Sequence, residues 1–231
     1  MRDMKIIKDF KLDIDKDAVF RYQGYSKKRV KTPNQNILQI IEEEINRGYN
    51  LFEPQGIYSL IKIVSFASKG INLENGLTFK FPKSVINQLK GANHLIIGVV
   101  TIGDFLEKKI SELFSQGEYS RALALDAVGT VAVEDFSREV RKLARQEAKE
   151  QDFKTSRHFS PGYSDWEVSQ QEIIFKSIPA DNIGVKLTKG YMMVPQKSLS
   201  WTIGVGKEII TSSEEDNNCG NCQFKYCNYK F

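Results

Sequence analysis

The segment Tyr119–Glu150 constrains this 231-residue chain more than any other, because it reads as one long helix with two different surfaces. Its first part, Ser120–Val133 (SRALALDAVGTVAV), is apolar nearly all round and rich in small residues, the pattern of a helix buried by close neighbours. Its second part, Glu134–Asp152, carries charges of alternating sign that support one another at i,i+4 spacing, so this half is expected to emerge into solvent. The rest of the chain must supply the layers that cover the apolar half.

The candidates for those layers are mixed. Met4–Phe10 and Ala18–Tyr25 read as short extended segments, separated by the charged run Lys11–Asp17. Ile37, Ile40, Ile41 and Ile45 recur at helical spacing between Pro33 and Gly48, predicting a helix of three to four turns. Gly56–Phe66 and Gly76–Phe81 are rich in β-branched and aromatic residues and read as strands, and a short helix is expected over Pro82–Lys90. His94–Ile102 (HLIIGVVTI) has the continuous apolar character of a buried central strand. Asp104–Gln116 predicts a helix with Phe105, Ile110, Leu113 and Phe114 on one side. Thr155–Trp166 reads as a loop, Ser169–Ile178 as a short amphipathic helix, and Ile183–Leu187, Tyr191–Pro195 and Ser198–Gly206 as extended segments. Without regular βαβ alternation, the expected fold class is α+β, with a largely antiparallel sheet and flanking helices. The polar stretch Thr211–Asn218 marks a boundary, giving one domain over residues 1–210 and a tail over 211–231.

Composition excludes several classes. The chain is 41% hydrophobic and 27% charged, which is globular and not disordered. Thirty-three Lys and Arg against twenty-nine Asp and Glu leave +4, with the signs interspersed, so nucleic-acid binding is not expected. The N-terminal MRDMKIIKDFKLDIDKD has no apolar core of a secretory signal, and no run approaches the ~18 apolar residues of a bilayer crossing. A cytoplasmic protein without membrane association is expected. The phosphate-binding G-x-x-x-x-G-K-[ST], the dinucleotide G-x-G-x-x-G, the G-x-S-x-G elbow and the H-E-x-x-H zinc motif are all missing.

The two histidines are His94, at the head of an apolar strand and read as structural, and His158, in the loop beside Arg157 and open to either a surface or a catalytic role. The Arg157–Tyr163 segment gathers groups suited to a small anionic or zwitterionic ligand. Arg157 offers a planar donor fork for a carboxylate, Gly162 allows close backbone approach, and Tyr163 adds an aromatic face with a hydroxyl. The same residues also suit a plain surface turn.

The order and spacing of several short pieces are more specific than any one of them. Arg157-x-x-x-Pro-Gly162-Tyr163 is followed by a short amphipathic helix, then Ile183-Gly-Val-Lys-Leu-Thr188, Tyr191-Met-Met-Val-Pro195 and Lys197-Ser-Leu-Ser200. Over Arg157–Gly206 the chain resembles the activation (reactivation) domain of cobalamin-dependent methionine synthase, and free-standing proteins similar to it. One departure stands: the family loop carries one residue fewer between its Arg and its Gly-Tyr.

The resemblance implies an α+β activation-domain fold with a twisted antiparallel sheet. It implies binding of S-adenosylmethionine and reductive remethylation of cobalamin (vitamin B12) held by a partner, so that the site is half of one completed by a corrinoid-bearing methyltransferase, with an electron donor as a further partner. Carried over residue by residue, it assigns cofactor binding to Arg157, Gly162, Tyr163 and, at the start of a helix before the loop, Glu134, with Tyr163 also in the catalytic role. An Arg for the carboxylate and a Glu for the ammonium suit the zwitterionic end of S-adenosylmethionine. The cobalt-ligating Asp-x-His-x-x-Gly loop of corrinoid carriers is missing here, so the corrinoid is expected on the partner. The other reading is a non-catalytic corrinoid-protein binding module, or an electron-transfer adaptor working through its tail.

That tail holds all three cysteines, Cys219, Cys222 and Cys227. The Cys-x2-Cys pair is the usual start of a Zn or Fe–S site, with His158, Asp216, a partner residue or an external molecule as fourth ligand. A redox-active or free-thiol tail and a tail without a role are the alternatives. The spacing differs from the Cys-x3-Cys-x2-Cys of radical enzymes that cleave the same cofactor.

Overall fold

A computed structural model of the chain describes residues 4–25, 33–68, 70–163 and 165–209. In chain order the elements are β1 (Met4–Ile7), α1 (Lys16–Tyr22), α2 (Gln35–Tyr49), β2 (Gln55–Ala67), β3 (Gly70–Leu73), β4 (Thr78–Lys80), α3 (Lys83–Leu89) and β5 (His94–Thr101). There follow α4 (Phe105–Ser115), α5 (Tyr119–Glu150), β6 (Lys154–Phe159), α6 (Gln171–Ser177), β7 (Lys186–Leu187), β8 (Met193–Val194) and β9 (Ser198–Gly206). The fold is α+β. Seven strands form one sheet in the order β4-β3-β2-β5-β9-β6, with β1 also on β2, while β7 and β8 make a separate hairpin. Among the described residues every pairing is antiparallel.

The sheet is covered on both faces, which explains the unbroken apolar run of β5. On one face Tyr58, Ile96, Val100, Trp201, Ile203 and Val205 pack against Leu12, Val19, Ile41 and the inner side of α5. On the other, Ile61, Leu95, Ile97 and Val99 meet Leu89 of α3, Trp166 and Ile174 of α6. Helices α2 and α5 are joined by Arg121, whose guanidinium donates at 2.7 Å to the fully buried carboxylate of Glu44.

Several expectations are corrected. The Ala18–Tyr25 segment is largely helix α1, capped by the Asp15 carboxylate accepting from the Asp17 N–H and buried through Val19. The Thr155–Trp166 segment begins as strand β6, because pairing with β9 supplies backbone partners that its polar side chains do not advertise. The charged half of α5 does not leave the core: Phe136, Val140, Ala144 and Ala148 stay buried at helical spacing, and of the charges between them Arg138 and Lys142 are exposed while Arg145 turns to β6. In α4 it is Leu106, Ile110 and Leu113 that turn inward, whereas Phe105 and Phe114 are exposed. Of Ile183–Leu187 only the last two residues form a strand, Ala180–Ile183 being a 3-10 turn. Among the described residues no helix is long and apolar enough to cross a membrane. The 210/211 boundary and the tail lie outside the described residues.

Candidate functional site

Helix α5 and strand β6 run side by side after the chain reverses through Gln151–Phe153. The match of their rises fixes who meets whom. One turn of α5 advances about 6 Å over four residues and two residues of β6 advance about 6.6 Å. Arg145 accordingly reaches the start of β6, where its Nη1 donates to Thr155 Oγ1 at 2.8 Å and to the Ser156 carbonyl at 2.6 Å. Arg141, one turn earlier, lies near His158, and Glu134 lies near Tyr163.

A β-bulge in β6 decides the rest. Thr155 pairs with Val205 and His158 with Ile203, so three steps along β6 oppose two along β9. The Ser156 hydroxyl fills the irregularity, accepting from the Gly204 N–H at 2.9 Å and donating to the Arg157 carbonyl at 2.6 Å. The extra residue brings His158 onto the α5 face of the sheet, alongside Ile203, and Phe159 onto the opposite face. Burial, then the positive charges of Arg141, Arg145 and Arg157, hold the His158 pKa down at about 3, so the ring is neutral. The Arg157 guanidinium lies 5.0 Å from the centroid of Phe159, a member of the core on the α3/α6 face. Its Nε is buried with no hydrogen-bond partner among the described residues. The one-residue departure of the Arg157-to-Gly162 spacing thus coincides with a bulge that gives the α5-facing ladder position to His158.

Beyond β6 the chain makes a tight turn. Gly162 has φ +90°, a conformation that L side chains rarely adopt. The turn is closed by Tyr163 N–H to the Ser160 carbonyl at 3.2 Å and Gly162 N–H to the Trp166 carbonyl at 2.8 Å. Trp166 anchors it, stacking on Phe81 with centroids 4.6 Å apart and donating its indole N–H to the Lys80 carbonyl at 2.8 Å. Tyr163 is left half exposed. Its hydroxyl pKa is raised, first by partial burial and then by the negative charge of Glu134, with Arg141 acting in the opposite sense.

Glu134 stands midway along α5, not at a helix start as the resemblance implied, and its Oε1 accepts a 2.6 Å hydrogen bond from the Tyr22 hydroxyl. Sequence reading missed Tyr22 because it took that segment as extended. It also missed Arg141, whose Nη1 donates to Ser137 Oγ at 2.5 Å, because charges on α5 read as a solvated face. The later pieces of the recognised order meet the same helix. Lys197 donates to Thr130 Oγ1 and pairs with Asp126, both at 2.8 Å, one turn and two turns before Glu134. Within Tyr191–Pro195, Met193 and Val194 form β8 and pair with Leu187 and Lys186 of β7.

His94 is separate from this region, with Nδ1 2.8 Å from Asn93 Oδ1, consistent with a structural role. Cys219, Cys222, Cys227 and Asp216 lie outside the described residues. Among the described residues no group of three or more His, Cys, Asp or Glu is arranged to hold a metal ion. His158 sits among guanidinium groups, surroundings that oppose a metal cation.

The sequence matches no protein-family model. No curated protein sequence matches it. Its fold does have a counterpart among solved structures: a crystal structure of the MetH reactivation domain bound to AdoHcy is similar, with a TM-score of 0.67 at 13% identity, covering 91% of this chain and 81% of that one. The class is therefore an α+β antiparallel sheet with helices on both faces. Within that class, the chain has the fold of the MetH reactivation domain.

Proposed function

We propose that this protein is an S-adenosylmethionine-binding module that supports reductive remethylation of a corrinoid carried by a partner methyltransferase of the methionine synthase kind. The observation that carries this reading is a fold whose solved counterpart was crystallised with AdoHcy, in which the charge of Glu134 is felt at Tyr163 of the Gly162–Tyr163 turn. The donor set fits the ligand. A zwitterionic amino-acid end needs a carboxylate for its ammonium and a guanidinium for its carboxylate. Glu134 supplies the first, and Arg157, with its unpartnered buried Nε, is the guanidinium that the sequence resemblance nominates for the second. Gly162 permits close approach of the backbone, and the half-exposed Tyr163 ring offers a face to the sulfonium region and to a docked partner.

When bound, S-adenosylmethionine supplies an electrophilic methyl group; the corrinoid that takes it, together with one electron from a donor, belongs to the partner. This chain's residues hold the amino-acid end and present the other end at an exposed surface, so the site is half of one, completed on docking. The setting is cytoplasmic, and the product of the partner's reaction is methionine. Cys219, Cys222 and Cys227 are the proposed place for a Zn ion or an Fe–S cluster, and metal analysis of anaerobically purified protein tests it: iron or zinc at one equivalent or more is expected.

The functional test has two parts. Calorimetry with S-adenosylhomocysteine is expected to show one saturable site. Mixing the protein with a corrinoid-bearing methionine synthase fragment lacking its own reactivation domain, under a reductant, is expected to move label from methyl-labelled S-adenosylmethionine to the corrinoid. No binding and no transfer sinks the reading.

A further inference from the structure

Between Asn182 and Lys207 the chain carries Lys186, Lys189, Lys197 and Lys207 and no acidic residue. The first three belong to the β7–β8 hairpin and to the link from it into β9, and the hairpin has two unlike faces. Lys186 pairs with Val194, and Leu187 with Met193. Directly opposed residues share a face, and successive pairs alternate between faces. Lys186 and Val194 therefore point one way, together with Thr188 and Met192, whose backbones are bonded at 2.9 Å. Leu187 and Met193 point the other way, Met193 onto the core of the α3/α6 face. The outer face is open: Met192 is 62% and Val194 48% exposed. Lys197 spends its charge on Asp126, whereas Lys186 and Lys189 are exposed and have no ion pair among the described residues.

This face is held in place. Thr188 Oγ1 accepts from the Met192 N–H at 3.0 Å, and the turn between them passes through Tyr191 at φ +62°. Past Pro195, the Gln196 N–H donates to the Glu107 carboxylate at 2.9 Å, and Lys197 bonds Thr130 and Asp126 of α5. Apolar side chains on a preorganised turn lose little entropy when covered, and methionine adapts its shape to what covers it. Two unpaired ammonium groups beside them attract and orient a surface of opposite sign.

The hairpin also shares one end of the sheet with the candidate site. Strand β6 ends at Phe159, opposite Thr202, and β9 begins at Ser198. The Gly162–Tyr163 turn follows β6 and the hairpin precedes β9, so both leave this antiparallel pair at the same end. Helix α6, which lies between turn and hairpin in the chain, is tied to that end of β9 by Ser200 Oγ donating to Gln171 Oε1 at 2.7 Å.

We infer that the outer face of the hairpin, formed by Lys186, Met192 and Val194 with Lys189 at its tip, is a docking surface for the corrinoid-bearing partner, which meets it with carboxylates set around an apolar spot. The inference rests on the proposed function. The sign of the unpaired charges selects an acidic protein face, and the shared end of the sheet lets one partner cover the hairpin and Tyr163 together.

The test follows methyl transfer from labelled S-adenosylmethionine while the concentration of the corrinoid-bearing methionine synthase fragment is varied. The double variant Lys186→Glu/Lys189→Glu is expected to raise the half-saturating fragment concentration about tenfold or more at low salt, the scale of electrostatic steering. At about 1 M salt, where the screening length is about 3 Å, the difference is expected to shrink to about twofold. Lys186→Arg/Lys189→Arg is expected to match the parent. Met192→Ser/Val194→Ser is expected to raise the half-saturating concentration at both salt levels. All of these variants are expected to keep the parent's affinity for S-adenosylhomocysteine within about twofold, which reports a folded chain. If charge reversal leaves the half-saturating concentration unchanged, or shifts it equally at both salt levels, the inference is wrong while the proposed function stands. If the parent sediments as a dimer that Met192→Ser/Val194→Ser splits, the face belongs to a second copy and the inference is overturned. If the parent neither binds S-adenosylhomocysteine nor transfers label, the proposed function fails and the docking surface with it.

Discussion

Gly98 lies directly across from Trp201 in the β5–β9 pair, and the fully buried indole occupies the space a side chain at 98 would need: a Cβ there would stand 2.4 Å from Trp201 Cζ2. The indole N–H itself has no hydrogen-bond partner among the described residues, so shape holds the ring here. Gly98→Ala is expected to destabilise the fold by about 1–3 kcal/mol, the cost of overpacking a core that cannot give way. Urea unfolding measures it, and repeating the substitution in a Trp201→Leu background is expected to remove most of the penalty.

The Tyr22 hydroxyl orients the Glu134 carboxylate from α1. Tyr22→Phe is expected to lower affinity for S-adenosylhomocysteine about fivefold, the worth of roughly 1 kcal/mol for one hydrogen bond, with the melting temperature nearly unchanged. An equal effect on 5′-methylthioadenosine would separate Tyr22 from the amino-acid end.

His158 makes stability depend on pH with a definite sign. In the folded chain its pKa is held at about 3, and in the unfolded chain it returns to about 6.5. Above that value both states carry a neutral ring. As pH falls below it, the unfolded chain takes up a proton that the folded chain refuses, and stability drops by up to ~1.4 kcal/mol per pH unit until the folded value is reached. The stability difference between parent and His158→Gln is therefore expected to shift by about 2 kcal/mol, against the parent, between pH 7.5 and pH 5. Urea titrations at the two pH values measure it, and a constant difference would show that the ring is solvated.

At Gly162 the obstacle to a side chain is backbone conformation and not space, since φ is +90° and the nearest atom to an added Cβ is Val168 Cγ2 at 3.8 Å. Gly162→Ala is expected to cost about 1–2 kcal/mol, and Gly162→Asn less, because Asn tolerates positive φ better. Chemical denaturation of the two variants checks the ranking; equal costs would point to a steric cause.

The elements that were legible in the sequence are those whose side chains repeat a local period or run apolar without a break: α2, β5, α5 and β9. Helix α1 was hidden by aromatic residues, and its helical state depends on the Asp15 cap and on burying Val19 against a distant core. Strand β6 was hidden because its bulge breaks the two-residue alternation and because its partner, β9, is remote in the chain. Arg157, Gly162 and Tyr163 were legible as a group by their types and order. Tyr22 and Arg141 were not, because nothing near either in the sequence distinguishes it from other tyrosines or from a solvated charge.

The sequence alone determined that this chain builds an α+β fold with an antiparallel sheet around one long helix, since hydrophobic periodicity is local and survives without knowledge of neighbours. Only the tertiary structure decided which charges share a site. That choice depends on how a 1.5 Å helical rise runs alongside a strand of about 3.3 Å per residue, and on one extra residue in β6 that brings His158 to the α5 face and leaves Arg157 against Phe159. Register of this kind is set by packing between segments, so it is written in no single stretch of the chain.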